Sequence, residues 1–162
     1  LEVPAIGLLV DTLQVVIIPV VAGAIMNSRF PSVCRRVLPT APLIAVLTIV
    51  LIAASVIGAN RAQVVEAGGR LLLAVLSLHT AGFFFGYVVS KLWLGHEQAA
   101  RTASIEVGMQ NSGLGVVLAQ QNFINPLVAI PSALSAVIHS LVGSIAAAVW
   151  RNKLIRAGRL QK

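Results

Sequence analysis

The stretch "SIEVGMQNSG", Ser104 to Gly113, holds the residues whose types and spacing suit ion chemistry. It sets a carboxylate, Glu106, beside two amides, Gln110 and Asn111, with Gly108, Ser112 and Gly113 around them. An ionised carboxylate at mid-membrane costs at least ~2.5 kcal/mol, so it persists when paired, when it faces a cavity or when it binds an ion. No Lys or Arg falls in the interior of an apolar span of this chain; Lys91 ends one span and Arg101 sits at the edge of another. The natural partner of Glu106 is therefore a bound cation. Hard monovalent cations take oxygen ligands. Glu106 and Gln110 offer side-chain oxygens, and backbone unwound near Gly108 would add carbonyls.

The backbone types agree. Glycine weakens a helix by about 1 kcal/mol relative to alanine. Gly108, Gly113 and Gly115, with Asn111 and Ser112 between, form a stretch of poor helix propensity. A broken helix is tolerated in a membrane where its freed N–H and C=O groups meet protein, water or ligand. A second half-helix would begin near Asn111 or Ser112, both good N-cap types. Its free N–H groups would attract an anion. One stretch would thus supply a cation site and an anion site side by side, as discontinuous helices do in secondary transporters. Other readings stay open: a protonated, hydrogen-bonded structural Glu106, interhelical amide bonds from Gln110 and Asn111, and glycines that serve only packing.

The elements that must position this stretch follow from composition. The 162 residues are 57% hydrophobic and only 10% charged, against about 25% charged in a soluble domain. Mean hydropathy is +0.92. Soluble helical bundles need polar faces that these runs lack, so the solvent is lipid. Apolar runs of about 20 residues cross a bilayer as helices. Five are expected: Leu8 to Ile25, Ala41 to Ile57, Leu71 to Lys91, Thr102 to Gln121 and Pro126 to Trp150. Pro19 and Gly23 are expected to bend the first. Polar connections, "NSRFPSVCRRVLPT", "GANRAQVVEAGGR", "GHEQAAR" and "QNFIN", join them. The chain begins at Leu1 with no visible signal peptide and reads as a fragment or processed piece. Cys34 is the single cysteine, so no intrachain disulfide forms.

The net charge of +7 is a topology signal rather than a nucleic-acid signal. One side of the membrane receives Arg29, Arg35, Arg36, Lys91, Arg101, Arg151, Lys153, Arg156, Arg159 and Lys162; the other receives only Arg61 and Arg70. The positive-inside rule puts the C-terminus in the cytoplasm and the N-terminus outside. Tyr87, Trp93 and Trp150 then fall near the cytoplasmic interface, where aromatic belts form.

The fifth span carries a second polar feature. Ser132, Ser135 and His139 share one helical face, with Ser140 and Ser144 alongside. His139 is suited to donate to an anion from inside a polar cavity; the serines equally suit close packing. His79 and Thr80 in the third span are weaker candidates, and Asp11 reads as interfacial. No nucleophile–base–orienter set and no metal-ligand spacing occurs, so an enzyme is not expected.

The run "SIEVGMQNSGLGVVLA", with its E-x-G-x-Q-N pattern, resembles the signature of the bile acid:sodium symporter family in its bacterial and plant-plastid branch. The resemblance covers the whole chain and matches that family's C-terminal half. It implies an all-α membrane protein: five transmembrane helices forming one half of a ten-helix inverted-repeat transporter, with the fourth helix discontinuous over 102–121. It implies panel-type helices in 1–60 and core-type helices in 61–162. Glu106 would bridge two sodium sites. Gln110 would complete the second with the carbonyls of Val107 and Met109. Asn111 would face the substrate, with Ser112 near it. The family's fifth-span histidine and asparagine match His139 and Ser140, the asparagine being replaced by serine. The N-terminal five-helix half, which supplies the remaining sodium ligands and the crossing partner, is missing here.

The expected function is sodium-coupled symport of an organic anion, bile-acid-like or a small carboxylate, by alternating access in a lipid bilayer. Na⁺ is the coupling ion, and no other cofactor and no nucleic-acid partner is expected. The alternatives are a proton-coupled or uncoupled carrier of the same fold, and a non-transporting fragment or half-size membrane subunit. The short loops favour a bacterial inner membrane.

Overall fold

A computed structural model describes residues 4–156, with side chains described for 4–153. Arg159 and Lys162, counted above for topology, lie outside the described residues. The chain is helical nearly throughout. The elements are α1 (Ala5–Arg29), α2 (Pro31–Val37), α3 (Ala41–Ala59), α4 (Arg61–Leu94), α5 (Glu97–Gly108) and α6 (Ser112–Asn122). A 3₁₀ turn, Pro126–Ala129, leads into α7 (Ile130–Arg156).

Among the described residues, four helical segments are long and apolar enough to cross a membrane: Ala5–Arg29, Ala41–Ala59, Arg61–Leu94 and Pro126–Lys153. These match four of the five expected spans. The remaining expected span is divided between α5 and α6, neither of which reaches that length alone. α1 continues through Pro19.

Three connections are more helical than their composition suggested. "NSRFPSVCRRVLPT" contains α2, which opens with Pro31 at its first position, where the missing N–H is no loss. "GANRAQVVEAGGR" is helical from Arg61 and is interrupted at Gly68, whose φ of 33° and ψ of −122° leave the helical region. α5 starts at Glu97, ahead of the expected Thr102, because Glu97 places a carboxylate in the first turn, where the helix dipole favours it. Gly95, at φ 68°, closes α4 in the left-handed conformation that suits glycine.

The packed residues group into two compact units. One gathers the helices up to Val64 with Ser112–Ala133; the other gathers Val65–Asn111 with the chain from Leu134 onward.

In the first unit α6 packs against α1 and α3. Its core is small and apolar: Ala53, Val56, Val116, Ala119, Ala129, Ile130 and Ala133. Asn122 Nδ2 donates to Asp11 Oδ2 at 2.7 Å, tying α6 to α1. Asp11, which reads as interfacial from sequence, thus has a partner 111 residues away. A methyl group at Gly115 would come within 2.6 Å of Ser132 Oγ, so that glycine is a packing point. The second unit carries most of the candidate site. Large apolar side chains such as Ile18, Leu47, Phe84 and Leu141 lie exposed on the chain, as befits helices that meet lipid tails.

Candidate functional site

The site is built on the close approach of α4 and α5. A methyl group at Gly82 would come within 3.0 Å of the Val107 carbonyl oxygen and 3.3 Å of Gly108 Cα. One at Gly86 would come within 2.9 Å of the Ala103 carbonyl oxygen and 3.1 Å of Ser104 Cα. Small residues four apart let helix backbones touch inside a bilayer, where packing rather than hydrophobicity drives association. The contact is reciprocal at Gly108, where a Cβ would run into the Phe83 ring. Ser104 Oγ donates to the Phe83 carbonyl at 2.6 Å, both groups buried. α5 is therefore pinned to α4 by two glycines on one helix, one glycine on the other and a hydrogen bond between them.

Immediately after this contact the helix stops. Gly108 ends α5, Met109, Gln110 and Asn111 are not helical, and Ser112 begins α6. The break lies where the glycine and amide pattern predicts it. Met109 N–H still reaches the Ile105 carbonyl at 2.8 Å. A helix end leaves its last carbonyls without intrahelical donors. The Gly108 carbonyl has found one: His79 Nδ1 lies 2.8 Å from it. Because a carbonyl only accepts, Nδ1 carries the hydrogen.

The expected site residues fall as follows. Glu106, Val107, Met109, Gln110 and Asn111 are exposed on this chain, and Ser112 is buried. The Glu106 carboxylate makes no salt bridge among the described residues; Arg101 and Lys91 both pair with Glu97 instead, at 2.9 and 3.2 Å. The basic residue nearest Glu106 in sequence is thus committed elsewhere. The Val107 carbonyl lies against Gly82. Met109 packs toward α7, where a methyl group at Gly143 would come within 3.2 Å of its Sδ. His139 is buried and meets His79 edge-on, ring centroids 5.2 Å apart at 64°. Ser140 Oγ donates to the Ala136 carbonyl of its own helix at 2.7 Å, the backbone-directed use of serine. Among the described residues no group of three or more His, Cys, Asp or Glu is placed to hold a metal ion. The oxygens near the break include one carboxylate, two amides and backbone carbonyls.

His79, Phe83 and Ser104 are more central than their sequence context suggests. The G-x-x-x-G spacing of Gly82 and Gly86, with His79 and Phe83 on the same helical side, is the signal that could have found them.

Beyond this pairing the α5 start is anchored by a polar and aromatic cluster. Tyr87 Oη donates to Glu97 Oε2 at 2.9 Å. Tyr87 stacks on Trp150 at 6.3 Å, and Arg101 lies 5.9 Å over the same indole. The Tyr87 hydroxyl, then Arg101, then Lys91, hydrogen-bond the Glu97 carboxylate and lower its pKa from 4.5 to about 2. Tyr87 and Trp150, two of the aromatic residues expected near one interface, are in ring contact.

Comparison with known proteins fits this geometry. A model of the sodium bile acid symporter family matches residues 1–67. A chloroplastic protein of Arabidopsis thaliana, described as probable sodium/metabolite cotransporter BASS1, is 49% identical over 152 residues, covering 93% of this chain and 38% of its own length. Over residues 1–67 the chain is similar to the sodium bile acid symporter family. An uncharacterized sodium-dependent transporter of Bacillus subtilis, YocS, is 37% identical over 149 residues, 91% of this chain and 46% of its own. The chain therefore spans less than half the length of these relatives. By description, the family is one of sodium symporters and the relatives are a probable sodium/metabolite cotransporter and a sodium-dependent transporter. The relatives are chloroplastic or bacterial.

Proposed function

We infer that this chain forms the C-terminal half of a secondary transporter that moves an organic anion with Na⁺. The observation that carries the reading is the break at Met109–Asn111. It opens three residues after a carboxylate that has no basic partner among the described residues. Glu106 and Gln110 hold the cation through side-chain oxygens, with the backbone carbonyls of Val107 and Met109 beside them. Asn111 and the N-terminus of α6 at Ser112 face the anion, and His139 contributes from α7. Ser140 contributes less, since its hydroxyl is directed to the Ala136 carbonyl.

In the complete protein α5 and α6 together make one further crossing, between those of α4 and α7. A second five-helix half of inverted topology supplies the crossing partner and the remaining cation ligands. The helices in 1–60 act as panel and those in 61–162 as core, and the core rocks against the panel. The basic bias of the loops sets the N-terminus outside and the C-terminus in the cytoplasm. The names of the relatives support sodium coupling and a metabolite as cargo.

Reconstituting the intact protein in proteoliposomes tests this reading, with radiolabelled taurocholate and pantoate as probes. An inward Na⁺ gradient should drive uptake, and a pH gradient without Na⁺ should not. Uptake that follows the pH gradient alone supports proton coupling at Glu106, and uptake indifferent to both supports an uncoupled carrier.

A further inference from the structure

His79 is the most enclosed polar residue described, with no exposed surface. Its ring joins two parts of the candidate site. Nδ1–H donates to the Gly108 carbonyl at 2.8 Å, at the last residue before the break. The ring edge packs on His139 of α7. Its other nitrogen, Nε2, is buried without a partner among the described residues, as is Nδ1 of His139. A buried polar atom without a partner normally costs about 1–3 kcal/mol. The enclosure of His79 therefore calls for a role beyond filling space, which leucine would serve better.

That role follows from the carbonyls at the end of α5. Several are left without helical donors, and a cation at the break draws its ligands from them. A donor that occupies one carbonyl decides which others remain. His79 takes that of Gly108 and leaves those of Val107 and Met109 on either side. It also fixes the peptide plane from which Met109–Asn111 depart. The supports are already in place: Phe83 covers Gly108, and Ser104 bonds the Phe83 carbonyl.

We propose that His79 is a positioning residue for the cation site: its Nδ1–H withholds the Gly108 carbonyl from the cation and aims the unwound segment. This rests on the reading that the break binds Na⁺. His79 touches no transported species; it acts through the backbone of Gly108.

The test is equilibrium binding of radioactive sodium to the purified intact protein, with amide hydrogen exchange at Met109–Asn111 measured in sodium-free buffer. Asparagine places a donor where Nδ1 sits; glutamine places it one bond farther; leucine has none. His79→Leu should weaken Na⁺ binding about tenfold and speed exchange at the three amides. His79→Asn should stay within about threefold of wild type on both measures, a rescue that loss of packing does not explain. Should the leucine variant fail to fold, the pair His79→Asn and His79→Gln decides, with Asn the tighter binder. Glu106→Gln serves as the control for the cation reading. If it abolishes Na⁺ binding while His79→Leu, or His79→Gln in its place, binds as wild type, the inference about His79 is overturned and the cation site stands. If Glu106→Gln binds Na⁺ unchanged, both fall.

Discussion

Replacing Gly108 by alanine sets two effects of opposite sign against each other. In an open helix the change stabilises by about 1 kcal/mol through helix propensity. At Gly108 the new methyl carbon would lie 2.6 Å from Phe83 Cε2 and closer still to Cγ and Cδ2. The obstruction is an aromatic ring, itself buried, and not the end of a flexible chain. Forcing a methyl group into such packing costs about 1–3 kcal/mol, occasionally more. The ring contact should win, giving a net loss of up to about 2 kcal/mol by subtracting one estimate from the other. Gly58 in α3 provides the comparison, because nothing lies within 4 Å of its added methyl group. Gly58→Ala should be neutral or stabilising. The assay is thermal unfolding of the intact protein in detergent, in a double-mutant cycle with Phe83→Ala. Phe83→Ala removes the obstruction, so the double variant should be more stable than the sum of the two single losses predicts, by about 0.5–3 kcal/mol. Gly108→Ala as stable as Gly58→Ala, or strict additivity with Phe83→Ala, would refute the close approach of α4 and α5.

Three further expectations rest on other contacts. Ser104→Ala removes a buried 2.6 Å hydrogen bond to the Phe83 carbonyl and should lower stability by about 1 kcal/mol, read as a fall in melting temperature; an unchanged melting temperature contradicts the tie. The Glu97 carboxyl, held at about 2 by Tyr87, Arg101 and Lys91, has a folded pKa below its ordinary 4.5. Its contribution is present in full above pH 4.5 and is lost as pH falls toward 2. Glu97→Gln should flatten that part of a melting-temperature-against-pH curve, and added salt should shrink the difference, since the cluster is partly exposed. Asn122→Asp sets a second carboxylate beside Asp11, 2.7 Å from the present nitrogen position, and should destabilise at neutral pH. Adding Asp11→Asn restores one amide and one carboxylate and should recover most of the loss; equal instability of the double variant counts against the contact.

The features visible in the sequence are those written in local composition. Apolar runs such as Ala41–Ala59 report their span directly, because lipid demands about 20 apolar residues for a crossing. The break was visible because Gly108, Asn111 and Ser112 lower helix propensity where the run otherwise stays apolar. The helix over Arg61–Ala67 and the early start of α5 were hidden, since polar residues of good helix propensity look like loop between two apolar runs. Long-range pairs were hidden for a different reason. A histidine in an apolar run reads the same whether it meets lipid or a carbonyl 29 residues on, as His79 does. Asp11 gave no sign of Asn122. Glu106 was the reverse case: the lack of a basic residue in the interior of the apolar runs is a property of the whole sequence, and the pairing of Arg101 and Lys91 with Glu97 agrees with it.

The central claim is that the break after Gly108 binds Na⁺ through the Glu106 carboxylate. Equilibrium binding of radioactive sodium to the intact protein, wild type against Glu106→Gln, tests it most directly. Glutamine keeps an oxygen and nearly the same volume but removes the charge, worth about 4 kcal/mol at 4 Å in a medium of intermediate dielectric. Saturable sodium binding that is lost, or weakened at least tenfold, in Glu106→Gln is the predicted result. Equal sodium affinity in the two proteins contradicts the account.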